Sequence, residues 1–274
     1  TMQPYEREFF IYRIINGYLR CKAEDGKSFN IFEPDAKYKY ILSELYVDSY
    51  KKARELGCYD DEEMLYMNTS LGLWDDFKES RLKGLPEQID DMKVKMLDSA
   101  FKSRTREGIR EHLRKAERQL ETLAREKNNY YEYTCEGYAD YCALSYFIET
   151  RCFDDENKKC DWNVYSLGDF ISYYQQDFLT DNVIREISKT DEWRRIWAVS
   201  RDASSLFGKQ PHEFTNNQSS LVLWSRTYDS CYESTEAPPE KIIEDNDLFD
   251  GWLIKQRRKR ERETKQDFGQ DSMN

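Results

Sequence analysis

Apolar residues recur along most of this chain at intervals of three and four, the period of an amphipathic helix. The opening run (Phe9, Phe10, Ile11, Ile14, Ile15, Tyr18) already shows mixed helical spacing. The period then drops to two on either side of Asp25-Gly26, which predicts a β-hairpin, because glycine tolerates the positive φ that such turns require. Leu19, Cys21, Phe29 and Ile31 would share one face of it, and Pro34 ends it. From Asp35 the helical period returns with Tyr38, Ile41, Leu42, Leu45, Tyr46 and Tyr50, and Gly57 stops it. A short helix follows over about 60–68, with Asp60 or Asp61 as cap and Glu62 and Glu63 in its first turn. Thr69 to Asp76 reads as a further helix start, with Trp74 as a core anchor.

After Gly84 comes a long charged segment. Pro86 fits the first turn of a helix there, and Glu87 suits its positive dipole end. Ile89, Met92 and Met96 make one stripe, and Ile109, Leu113, Ala116, Leu120 and Leu123 make another, out of phase with the first. Residues 102–108 hold no large apolar side chain. Two helices, or one long helix kinked near Gly108, both satisfy this pattern. Asn128-Asn129 interrupts it, and a further helix begins at Thr134. Residues 152–163 form a polar turn compatible with a second hairpin. Helices are expected at about 166–178, capped by Ser166, and at 181–200, capped by Thr180 or Asp181. Ala203 to Asn216 reads as a loop, Asn217 to Tyr232 as a helix, and Pro238-Pro239 as a boundary. The last helix starts near Asp247 and gives way to a polar end expected to lack regular structure.

The fold class is therefore mainly α: a multi-helix assembly with a long charged helix or helical hairpin and a small N-terminal β-hairpin. Three consecutive segments are expected, 1–84, 85–237 and 238–274. Trp74, Trp193, Trp197 and Trp224 fall on apolar stripes and should be largely buried.

Composition narrows the function classes. The 274 residues carry 42 Lys+Arg against 53 Asp+Glu, a formal net charge of -11, yet 15% are aromatic, which argues against disorder. The longest apolar runs span four residues, where a membrane helix needs about 20, and the first residues show no basic-then-apolar leader. No membrane role and no secretory signal are expected. The seven cysteines are widely spaced, so a metal site from Cys142, Cys152, Cys160 and a distant histidine has weak support beside buried, reduced thiols. No phosphate-binding glycine loop and no G-x-S-x-G occurs, and His112 and His212 both lie among polar neighbours. The many acidic pairs sit mostly where helices begin and offset the dipole there. No enzyme, cofactor or metal is expected.

Charge is unevenly distributed. Residues 101–127 carry a net of +4 and 255–262 a net of +5, so the rest of the chain must carry -20. The stretch Ile243–Arg262 joins an acidic start, an apolar centre and a basic end, and is the expected partner-binding element. Its candidate contact residues are Leu248, Phe249, Trp252, Leu253, Arg257, Arg258, Lys259 and Arg260. The simpler alternative is that the helix docks on the chain's own core. Nucleic acid is a second candidate partner through the basic helix and tail, although the acidic body would repel phosphates.

Several stretches carry a resemblance: Trp193-Arg-Arg-Ile-Trp, Leu206-Phe-Gly-Lys-Gln-Pro, Tyr232-Glu-Ser-Thr-Glu-Ala-Pro-Pro and Ile243 to Arg260, with Gly17-Tyr-Leu-Arg and Leu71-Gly-Leu-Trp in the N-terminal half. Together they resemble uncharacterised proteins from the structural-gene modules of large tailed bacteriophages. What the resemblance implies is a role in virion or tail assembly, of the tail assembly chaperone kind, with phage tail or virion components as protein partners. It places the chain in the host cytoplasm during assembly, or in the virion. No catalytic residue carries over from it.

Overall fold

The structure, a computed structural model, describes residues 2–200 and 202–271, with residues 265–271 described by backbone alone. Among these residues are thirteen α-helices and one small antiparallel sheet, so the chain is mainly α. In chain order they are α1 (Pro4–Asn16), β1 (Tyr18–Lys22), β2 (Ser28–Phe32), α2 (Ala36–Glu55), α3 (Asp61–Ser70), α4 (Asp76–Asp98) and α5 (Ser103–Lys127). Then come α6 (Cys135–Arg151), β3 (Cys152–Asp154), α7 (Leu167–Gln176), α8 (Asp181–Lys189), α9 (Asp191–Ser200) and α10 (Ala203–Phe207). The chain continues with α11 (Asn216–Glu233), α12 (Glu240–Glu244) and α13 (Asn246–Asp271). They group into two compact units, each made from two stretches of sequence: Thr1–Asp60 with Glu132–Ser234, and Asp61–Tyr131 with Thr235–Asn274. This grouping differs from the three consecutive segments read from the sequence, because the last helices return to the charged pair α4 and α5.

Unit 1 is built around the expected hairpin. Gly26 turns it at φ +83°, Asp25 accepts a hydrogen bond from the Lys27 amide at 2.9 Å, and Leu19 pairs with Ile31 and Cys21 with Phe29. All four inward side chains are buried. The polar turn after α6 supplies a third strand, since β3 pairs with β2 and puts Cys152 opposite Ile31. Helix caps account for many of the boundaries: Asp35, Thr134, Ser166, Thr180 and Thr215 each accept from the amide three residues on. The helix expected over 181–200 is two helices. Thr190 adopts extended backbone, and its hydroxyl donates to the Ile187 carbonyl at 2.8 Å and accepts from the Trp193 amide at 3.4 Å, so one side chain closes α8 and opens α9. The loop expected over 203–216 contains α10 and a 3₁₀ turn, held by Phe207 against Phe214, ring centroids 5.0 Å apart. Trp193 and Trp197 are buried as expected. Trp224 is only half-buried: it sits at the flank of α11, donating to Asp181 at 3.0 Å, with the Arg185 guanidinium over its ring.

Unit 2 is all helix. Asp75 caps α4 by accepting from the Lys78 amide at 2.7 Å, so Pro86 lies inside that helix and not in a first turn. Leu85 and Ile89 on either side of it are buried, and this packing carries the helix across a residue that by itself disfavours an interior position. The chain reverses at 99–102, where Ala100 is buried, and Gly108 lies within α5, so the long charged segment is a helical hairpin. Its two helices run antiparallel. Lys78 pairs with Glu126 at 3.1 Å, Arg81 bonds Gln119 at 2.9 Å, and Lys127 pairs with Glu79 at 2.9 Å. Trp74, Leu85, Ile89, Leu113, Ala116 and Leu123 form the core between them. The C-terminal stretch expected to lack regular structure is helical as far as Asp271; 272–274 lie outside the described residues.

Candidate functional site

Helix α13 carries all eight residues expected to bind a partner, and its sequence divides by charge. Within unit 2 it packs against α4. Its closest approach is at Gly251, where any Cβ would collide with the Lys93 carbonyl and press on Leu97. Glycine is there because only a bare Cα lets the two backbones come so near.

Charge complementarity fixes the register on both sides of that contact. On the acidic side, Asp250 pairs with Lys93 at 2.6 Å, Asp247 with Arg114 at 2.8 Å, and Asp245 with Arg110. On the basic side, Lys255 pairs with Asp98 at 2.9 Å, Arg257 with Asp90 at 3.1 Å, Arg258 with Asp91 at 2.9 Å, and Lys259 with Glu236 at 3.0 Å. Four of the six cations over 255–262 that suggested an external partner thus have partners within the unit. Lys259 holds the Glu236 carboxyl below its ordinary range. Burial raises the Asp247 carboxyl, and the Arg114 guanidinium only partly offsets it.

The candidate residues divide into three groups. Leu248 and Phe249 are buried, Leu248 in a cluster with Met96, Ala100 and Ile242, and Phe249 stacked on Trp252 at 5.8 Å. Arg257, Arg258 and Lys259 are engaged in the ion pairs above. Trp252, Leu253, Arg257 and Arg260 share a face with Gln256, Glu261 and Thr264, and line an open depression of about 580 Å³. Trp252 and Leu253 are half-buried there, and Arg260 is exposed. That face pairs an apolar end with a cationic end, a combination common where proteins meet.

The sequence reading missed the acidic partners on α4. Asp90, Asp91 and Asp98 look like any other charges of a solvated helix, and nothing local marks them as partners of side chains about 160 residues away. It also missed a buried polar knot in unit 1, where Glu33 pairs with Arg13 at 3.5 Å and accepts from the Asn217 amide at 2.7 and 2.8 Å.

His112 and His212 are both exposed. Cys21, Cys152 and Cys160 are buried together in the core of unit 1, and burial pushes the Cys21 thiol up to about 11 and that of Cys152 further. Such thiols are poor nucleophiles at neutral pH. Among the described residues no three His, Cys, Asp or Glu side chains are arranged to hold a metal ion, and no helix is long and apolar enough to cross a membrane. No protein-family model, curated protein or solved structure matches the chain.

Proposed function

We propose that this chain is a non-enzymatic assembly or structural protein that works through protein–protein contacts, with the outer face of α13 as a contact surface. The observation that carries the reading is that face itself. Trp252 and Leu253 are left only half-buried although the same helix is anchored by Leu248, Phe249 and six ion pairs. An anchored helix presents its side chains rigidly, so little conformational entropy is lost when a partner docks. The resemblance to structural-module proteins of tailed phages gives that partner its kind: a tail or virion component, met in the host cytoplasm or in the particle.

The alternative, a nucleic-acid accessory factor using the basic tail, is weakened by the pairing of Lys255, Arg257, Arg258 and Lys259 with carboxylates. Each phosphate contact by one of these would first have to break an ion pair. The test is a photo-crosslinking amino acid at Gln256, in the middle of the face, introduced while the protein is made in its natural setting. Crosslinks to tail or capsid proteins are expected. Crosslinks to nucleic acid alone, or a protein that fractionates away from assembling particles without crosslinks, would contradict the reading.

A further inference from the structure

Unit 2 holds a second cavity, away from the outer face of α13 and independent of the role proposed for it. The end of α3, the turn into α4, and the end of α5 with the turn beyond it border an open cavity of about 400 Å³, lined by Asn68, Leu73, Trp74, Lys78, Arg125, Glu126, Asn129 and Tyr130. Four of these eight are central.

Asn68 is 5% exposed, and among the described residues nothing hydrogen-bonds its side-chain amide. Its backbone is fixed, since the carbonyl accepts from the Leu73 amide at 2.9 Å and the Trp74 amide at 3.3 Å. Its amide is not among the fully buried polar atoms left without a partner, so it is reached from the cavity, where a ligand's hydrogen-bonding edge can take the place of water. The wall beside it is rigid. The Trp74 indole is 4% exposed and donates to Glu79 at 3.0 Å, while the ammonium groups of Lys78 and Lys127 lie within 6 Å of its ring centroid. Lys127 and Lys83 are also bonded to Glu79, which holds that carboxyl down at about 2.

The charges at the cavity do not cancel. Lys78 is bound to Glu126 and to the Leu73 carbonyl, both at 3.1 Å, so that lysine and that glutamate neutralise each other. The Arg125 guanidinium has no ion-pair or hydrogen-bond partner among the described residues and leaves the cavity one positive charge in excess. A guanidinium fork matches the two oxygens of a carboxylate or phosphate.

We propose that this cavity binds a small organic oxyanion, a carboxylate or a phosphate monoester. Its anionic group meets Arg125 with Lys78 beside it, and its neutral part presents a hydrogen-bonding edge to the Asn68 amide. The volume suits a molecule no larger than a mononucleotide. The chemistry shared by both sources is an oxyanion attached to a polar ring or chain.

The experiment is calorimetric titration of the full-length protein with adenosine 5′-monophosphate, citrate and inorganic phosphate, with neutral adenosine as control. At least one of the two organic anions should bind at one site. Binding of the nucleotide alone assigns a phosphate monoester, binding of citrate alone a carboxylate, and binding of both the shared chemistry. Arg125→Gln, at an exposed position, should weaken binding about tenfold, the loss expected for one charge-assisted contact. Asn68→Asp, nearly isosteric but anionic, should abolish it, with a thermal melt showing that the variant folds. Should that variant unfold, Arg125→Gln decides by itself. No binding by either organic anion, binding of adenosine as tight as that of its phosphate, or unchanged binding in Arg125→Gln would each overturn the proposal.

Discussion

Unit 1 places its polar groups inside and unit 2 places them along its helix faces. In unit 1, Arg13 and Glu33 are buried with Asn217, the Trp193 indole donates to Ser225 at 2.8 Å, and Arg185 bonds the Tyr228 hydroxyl at 3.0 Å within the core. In unit 2, Asn68 and Asp247 are the buried polar side chains among the described residues, and the charged majority is laid out in ion pairs between α4, α5 and α13. The contrast shows two ways for a chain that is 35% charged to hold a unique fold. Buried hydrogen bonds specify unit 1 because each unmet partner is unfavourable in a low-dielectric core. Exposed pairs add little stability one by one, so in unit 2 they set helix register, while Met96, Leu113 and Leu248 supply the burial.

The largest expected effect falls in unit 1. Trp193 is fully buried and stacked on Trp197 at 6.1 Å, so Trp193→Ala should lower unfolding free energy by about 4 kcal/mol, measured by urea denaturation. A loss near 1 kcal/mol would mean that unit 1 does not depend on its aromatic core.

Gly251→Ala probes the corresponding point in unit 2. Alanine favours helix over glycine by about 1 kcal/mol, so an uncrowded site would be stabilised. The collision with the Lys93 carbonyl should reverse that sign and give a net loss of about 2 kcal/mol. A more stable variant would show that α13 is not seated as described.

Acid should act on unit 2 through Glu79. Hydrogen bonds from Lys127, Lys83 and Trp74 depress its folded-state value from 4.5 to about 2. A depressed carboxyl contributes stability that is complete above the ordinary value and fades as pH falls toward the folded one. Protection factors of the amides around residues 74–80, corrected for the intrinsic exchange rate, should therefore fall between pH 4.5 and pH 2, and Glu79→Gln should flatten that dependence. An unchanged profile in the variant would remove Glu79 from the account.

Salt should have the smallest effect. Neutralising Asp90 and Asp91 together should lower stability by at most about 1–2 kcal/mol at low salt, and by less in molar salt, where such pairs are screened. A larger loss that persists in salt would mean that these pairs do more than set register.

The same contrast explains what could be read from the sequence. Elements marked by their own residues were legible: the Asp25-Gly26 turn, the return of the helical period at Asp35, the cap at Ser166, and the buried stripe containing Trp193 and Trp197. Elements decided by packing were not. Pro86 suggested a helix start because local propensity favours one, and burial of Leu85 and Ile89 overrode it. Thr190 gave no period break, since a single capping hydroxyl leaves the apolar pattern intact. For α13, the composition of the helix was plain, but its pairings with Asp90, Asp91 and Asp98 depend on a register between segments far apart in sequence, which no local pattern carries.

Truncation after Pro239 tests most directly whether α13 belongs to the fold of unit 2. Hydrogen exchange should be followed along α4 in the full chain and the truncated one. Loss of α13 strips Leu248, Phe249 and Ile254 from unit 2, so amides from Ile89 to Asp98 should lose their protection. Protection of α4 unchanged by the truncation would contradict this and make α13 a detachable arm.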